Sequence, residues 1–115
     1  DIQNQLKAKG LPWEKSKAFD RAAVMGNSFI PKDSFDDLKN IQFRLDINGE
    51  TVQYGNSGLM IYDFDDIISN ISNYVTLKIG DLIYTGTPAG VGPVKPGDHL
   101  EGYIGHEKLL DFMVK

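Results

Sequence analysis

Few side chains in this sequence have types and settings suited to chemistry. Lys17 stands in PWEKSKAF among Trp13, Ala18 and Phe19. It reads either as one more solvated lysine or as a cation beside apolar neighbours, where partial loss of water would strengthen its pull on an anion or enolate. Thr87 is a hydroxyl between Gly86 and Pro88 in the run GTPAGVG. A rigid turn with little side-chain bulk lets a small ligand approach the backbone, although the same run serves equally well as a structural turn. It lacks the Lys-Ser/Thr of a phosphate loop and the glycine spacing of a dinucleotide fold.

Two other clusters resolve toward structure. The run Asp63-Phe64-Asp65-Asp66 gathers carboxylates, but a calcium loop starting there would need Gly at its sixth position and Glu at its twelfth, and has neither. Asp63 and Asp66 instead suit the N-cap and third position of a helix, where carboxylates meet free backbone N–H groups. His99 and His106 are the only histidines, lie among turn residues without a Ser or Cys partner, and read as solvated surface.

The elements that must position these groups follow from periodicity. Residues 1–9 pattern as a helix, with Ile2 and Leu6 on one face, Gln3 beside Leu6, and Gly10 as the stop. Residues 13–35 are irregular and read as extended chain. In residues 41–54, Ile41, Phe43, Leu45 and Ile47 alternate with polar residues, Asn48-Gly49 follows, and Val52 and Tyr54 alternate again. That is a β-hairpin with a type I′ turn. Phe64, Ile67, Ile68, Ile71 and Val75 recur at helical spacing and predict an amphipathic helix over residues 63–75. Residues 81–85 read as a short buried strand, 86–97 as a Gly/Pro-rich loop, and 100–104 and 109–114 as two terminal strands. Strands outnumber helices without regular βαβ alternation, so the class is β-rich α+β, with residues 1–115 forming one domain around one modest core.

Composition narrows the function. With 12 Lys+Arg against 16 Asp+Glu, net charge −4 and no dense basic stripe, nucleic acid is not an expected partner. No apolar run approaches the ~20 residues that span a bilayer, so no membrane partner is expected either. The absence of cysteine excludes a disulfide framework and a thiol nucleophile, and points to a cytoplasmic protein.

Four stretches taken in order carry a resemblance: KGLPWEKSKAFD from Lys9, DINGETVQYGNSGLMIY from Asp46, TLKIGDLIYTGTPAGVGPVKPGD from Thr76, and the ending LLDFMVK. Together they resemble the fumarylacetoacetate hydrolase family, especially its shorter acylpyruvate hydrolase and oxaloacetate decarboxylase members. The resemblance implies a mixed-sheet fold with short helices, and a chain that is the C-terminal portion of a catalytic domain. It also implies cleavage of C–C bonds in acylpyruvates, oxaloacetate or related 2-oxo diacids through an enolate. An isomerase of 2-hydroxy-dienoic diacids is the alternative, and a non-catalytic fragment or binding module is a third reading.

By the same resemblance, Gln3 matches a substrate-contacting glutamine, Lys17 the catalytic, substrate-binding lysine, and Thr87 a substrate-binding threonine. Asp1 matches the second Asp of the family's D-x-T-A-R-D-x-Q stretch rather than the metal ligand. The implied cofactor is Mg²⁺, with Mn²⁺ or Ca²⁺ as substitutes, held by carboxylates expected upstream, so no metal ligand is assigned in this chain. Arg21 stands where relatives of the founding hydrolase carry a threonine that serves the metal site. The implied partners are a small 2-oxo acid and a second copy of the protein, as a homodimer.

Overall fold

The computed structural model describes residues 2–115; Asp1, with its place in the family motif, lies outside them. Helix α1 spans Ile2–Ala8. Its end is built by Gly10, at φ 61: the Gly10 N–H donates to the Lys7 carbonyl and the Leu11 N–H to the Leu6 carbonyl. Only a residue without a Cβ takes that left-handed position at little cost, which is why Gly10 stops the helix.

In the segment expected to be extended, Glu14–Lys17 closes one helical turn, α2. The Ser16 hydroxyl donates to the Trp13 carbonyl at 2.7 Å and supports the turn. Four residues carry no period, so the pattern could not announce it.

The hairpin forms as its residues dictate. Strands β1 (Gln42–Ile47) and β2 (Glu50–Asn56) are joined by Asn48 and Gly49, at φ 52 and 81. Both positive angles are those of the type I′ turn that Asn-Gly favours. Helix α3 runs Phe64–Ser72, three residues short of the expected end. The Asp63 carboxylate caps it by accepting the Asp66 N–H at 2.9 Å. Strands β3 (His99–Ile104) and β4 (Glu107–Met113) form a second hairpin. The four strands lie in the order β2-β1-β3-β4, every pairing antiparallel.

Register sorts the side chains, because directly paired residues share a face. On one face, Phe43 pairs with Gly55 and Ile104, and Leu45 with Gly102, which pairs in turn with Leu110. On the other, Asp46 pairs with Thr51 and Glu101, and Arg44 with Tyr54 and Tyr103. A bulge between Leu45 and Asp46 leaves Val52 as the extra residue of β2 and puts Gln53 opposite Leu45. The alternation expected of Val52 and Tyr54 is therefore corrected: Gln53 is half-buried, whereas Val52 and Tyr54 are exposed.

Residues 81–85 are not a strand. No strand among the described residues takes up their backbone, and Leu82 and Tyr84 are 50% and 61% exposed. Apolar residues gave the signal, but a strand also needs a ladder partner. The segment is held instead by its side chains, the Tyr84 hydroxyl donating to the Val24 carbonyl at 3.2 Å.

The modest core is thinner than expected. Among the described residues Leu100 is the buried apolar side chain, while Ile61, Ile79 and Tyr74 stand 84% or more exposed. The surface is 9497 Å², against roughly 6,300 Å² for a self-contained fold of this mass. About 3,200 Å² of sheet face, helix flank and loop therefore lacks the cover a folded domain has.

Candidate functional site

The loop that carries Thr87 is fastened to β2. The Gln53 side-chain amide donates to Thr87 Oγ1 at 3.0 Å, to the Pro88 carbonyl at 3.1 Å and to the Ala89 carbonyl at 3.4 Å. The loop can come this close because of glycine. Gly90 sits at φ 98, and a Cβ there would run into the Val52 carbonyl oxygen; one on Gly55 would meet the Phe43 ring. The glycines thus bring two backbones together, and the bulge turns Gln53 toward the loop rather than to the opposite face.

Thr87 itself is exposed, at the rim of a groove of about 600 Å³ lined by Ile41, Phe43, Gly55, Ile67, Pro88 and Ile104. Among the described residues none that lines the groove is cationic. By itself it suits apolar packing better than a dianion.

Gln3 and Lys17 lie elsewhere. The helices that carry them, α1 and α2, are in contact with each other, and neither residue lines the groove of Thr87. Gln3 is half-buried like its face-mate Leu6, in keeping with an inward-pointing position. Lys17 is exposed, as are Trp13 and Phe19, at 46% and 62%. The desolvation that would sharpen its charge is not supplied by its neighbours in the sequence. Arg21 is exposed at φ 67, a left-handed conformation costly for a side chain of its kind.

The opposite sheet face carries a charge network that the sequence did not reveal. Asp46 is buried at 8% exposure; the Thr51 hydroxyl donates to it at 2.7 Å and Arg44 Nε at 3.1 Å. The Thr51 bond first, and Arg44 with it, hold its carboxyl below the usual range against the opposing effect of burial. Arg44 also stacks over Tyr103, 3.7 Å from the ring centre.

On β3 and β4, Lys108 donates to Asp111 and, at 2.9 Å, to Glu101; His99 Nε2 lies 2.7 Å from Asp111. The Lys108 ammonium lowers the acidity range of both carboxyls, and Asp111 and Glu101 in turn raise that of Lys108. His99 is therefore half-buried and partnered, not simply solvated, because strand pairing brings β4 beside it; His106 is exposed in the β3–β4 turn as expected.

His99, Glu101 and Asp111 offer ligand atoms within 4.8 Å of one another, the spacing of a metal site. The donor set does not fit Mg²⁺. That ion takes oxygen ligands in near-octahedral array. Here one donor is an imidazole nitrogen, and the Lys108 ammonium is already ion-paired with both carboxylates. Displacing it would strip a fixed cation from its two hydrogen-bonded partners.

Residues 1–111 match the family described as fumarylacetoacetate (FAA) hydrolase C-terminal. The chain is 48% identical over 97% of its length to the mitochondrial oxaloacetate decarboxylase of Dictyostelium discoideum, covering 51% of that protein. It is 42% identical over its whole length to the mitochondrial oxaloacetate tautomerase FAHD1 of Homo sapiens, covering 52%. Fumarylpyruvate hydrolase from Pseudomonas aeruginosa, solved in complex with Mn²⁺ and pyruvate, superposes with a TM-score of 0.87 at 34% identity, over 99% of this chain and 48% of that one. The chain thus spans about half the length of the curated relatives it matches. With its β-rich α+β architecture and short helices, the chain belongs to the fumarylacetoacetate hydrolase family.

Proposed function

We propose that the protein carrying this chain acts on oxaloacetate or a closely related 2-oxo acid, and that the chain is the C-terminal portion of its catalytic domain. The observation that carries this reading is the 42–48% identity, over nearly all of the chain, to relatives named for oxaloacetate decarboxylation and tautomerisation. The two reactions share a chemical need: each places negative charge on the C2 oxygen as an enolate or enol forms. Lys17 supplies a fixed cation for that oxygen, and the Thr87 hydroxyl and Gln3 amide donate hydrogen bonds to the substrate. In a site shut off from water, one such donor is worth roughly 10²- to 10³-fold in rate.

The exposure of Lys17 sets a condition on this assignment. A charge pair ~4 Å apart gains ~1 kcal/mol in bulk water but ~4 kcal/mol at a partly desolvated surface. Lys17 works only if the apolar surface around Trp13 and Phe19 is covered in the working protein. The excess exposed surface of the chain supports such cover, and a homodimer is the proposed assembly. The divalent cation, Mg²⁺ by preference and Mn²⁺ or Ca²⁺ by substitution, belongs to carboxylates outside the described residues. The cytoplasm is the proposed compartment on cysteine usage alone; the two relatives named above are mitochondrial by name, and cell fractionation separates these outcomes.

The test is a substrate panel on the full-length protein with Mg²⁺ or Mn²⁺. Decay of enol absorbance reads tautomerisation, pyruvate release from oxaloacetate reads decarboxylation, and loss of fumarylpyruvate reads hydrolysis. Turnover of oxaloacetate in either of the first two supports the reading. Rates no higher than the metal-only blank on all three would sink it.

A further inference from the structure

We propose that Gln53 is a positioning residue that fixes Thr87 as a hydrogen-bond donor toward an oxygen of the bound 2-oxo acid. The proposal rests on the reading of Thr87 as a substrate-binding residue.

The orientation of the Gln53 amide is dictated by what it faces. The Pro88 and Ala89 carbonyl oxygens can only accept hydrogen bonds, so the end of Gln53 that lies 3.1 and 3.4 Å from them is its NH₂. The same nitrogen lies 3.0 Å from Thr87 Oγ1. Gln53 is therefore the donor in that contact and Thr87 the acceptor. A hydroxyl has one proton and rotates to suit its partners. With a lone pair engaged by Gln53, the Thr87 proton is turned away from β2, toward the exposed side of the loop. A free threonine could donate to a ligand or accept from one; this one is biased to donate. Carboxylate, keto and enolate oxygens are all acceptors, the chemistry expected of a 2-oxo acid.

The arrangement is set by the fold. The bulge at Leu45/Asp46 turns Gln53 to the loop-facing side of the sheet, and Gly90 allows the close approach that brings Oγ1 within range. Gln53 is thus a polar residue beside Leu45 on the face of Phe43, with its amide spent on three successive loop residues, Thr87, Pro88 and Ala89. The amide NH₂ has two protons; the two shorter contacts, to Thr87 Oγ1 at 3.0 Å and to the Pro88 carbonyl at 3.1 Å, take one each, and the Ala89 carbonyl at 3.4 Å shares one of them. The contact to the hydroxyl is the one that fixes polarity.

The test uses the full-length protein, oxalate as the probe in the presence of Mg²⁺, and calorimetric titration of Gln53→Glu, Thr87→Val and the double variant. Glu keeps the shape of Gln but presents acceptors to Thr87, so the hydroxyl proton turns back toward β2. Thr87→Val and Gln53→Glu should each weaken oxalate binding by about 10- to 100-fold. The double variant should be no weaker than Thr87→Val alone, because without a hydroxyl Gln53 has nothing to orient.

Gln53→Met, which holds neither donor nor acceptor, covers the case in which the glutamate misfolds the loop. It should weaken oxalate less than Thr87→Val does, with no added loss when the two are combined. Equal losses from either Gln53 substitution with and without the Thr87 hydroxyl would reduce Gln53 to a structural clamp and overturn the proposal. Unchanged oxalate binding in Thr87→Val would overturn it together with the substrate-binding role of Thr87, which separates the two failures.

Discussion

Replacing Gly90 by Ala tests whether the loop of Thr87 truly depends on close approach to β2. Two costs fall on this substitution. At φ 98 an L-residue is held in a region it rarely adopts, which costs of order 1–3 kcal/mol. The added methyl would also run into the Val52 carbonyl oxygen, with Gln53 Cγ 3.1 Å away. Backbone cannot swing aside as a side chain can, so the loop must lift off the strand. For a chain of about twice this length, a loss of 1–3 kcal/mol lowers Tm by roughly 2–12 °C. Lifting the loop also breaks the contact between Gln53 and Thr87, so kcat/KM for oxaloacetate should fall with the stability. Gly92→Ala is the internal control. It lies two residues on in the same loop, carries no positive φ, and a Cβ there meets nothing within 4 Å. It should change stability by less than ~0.5 kcal/mol. Thermal unfolding of both variants in the full-length protein, with oxaloacetate turnover alongside, gives the comparison. If the two variants agree within that margin, the packing of this loop on β2 is refuted.

The other predictions concern the scaffold. Asp63→Ala removes both the cap of α3 and the ion pair with Lys39 at 3.1 Å, whereas Asp63→Asn keeps the cap and loses only the charge. Thermal unfolding should rank wild type above Asn, and Asn clearly above Ala; equal Asn and Ala would mean that the cap contributes nothing. The charge cluster gives a pH signature with a fixed sign. The Glu101 and Asp111 carboxyls are lowered in the fold, chiefly by hydrogen bonds from Lys108. Their contribution is complete above the ordinary carboxylate range near ~4 and is lost as pH falls below it, through the lowered values. Lys108→Met should therefore narrow the Tm gap to wild type as pH drops from 7 toward 2; a gap that stays constant would remove the ion pairs from the account.

What could be read from the sequence was local. Gly10, Asn48-Gly49 and Asp63 each impose a backbone geometry through neighbours within a few residues, and each sits where its chemistry requires. Non-local pairing was hidden. Nothing in residues 41–47 announces that β1 will pair with β3 some fifty residues on, so the partnering of His99 by Asp111 and the line of charge across the sheet could not be foreseen.

The bulge misled in a second way. By shifting β2 one position after Leu45, it exchanged the faces of Val52 and Gln53 and hid the residue that holds Thr87. The sequence carried no signal for this, because Gln53 between Val52 and Tyr54 is the polar position that plain alternation expects, and the Gly-rich run lies more than thirty residues on. Residues 81–85 carried the apolar signature of a strand without a partner to make it one. Gln3, Lys17 and Thr87 became candidates as a set through resemblance, because their spacing alone does not bring α1 and α2 to the loop.

The most direct test of the central claim is kcat/KM for oxaloacetate in the full-length protein with Mg²⁺, compared with Lys17→Ala. If Lys17 holds the developing enolate in a covered site, the variant should lose about 10²- to 10³-fold, with kcat carrying most of the loss because the charge appears only as the reaction proceeds. A variant with unchanged kcat/KM would show that Lys17 is a solvated lysine and would contradict its assignment as the cation that holds the C2 oxygen.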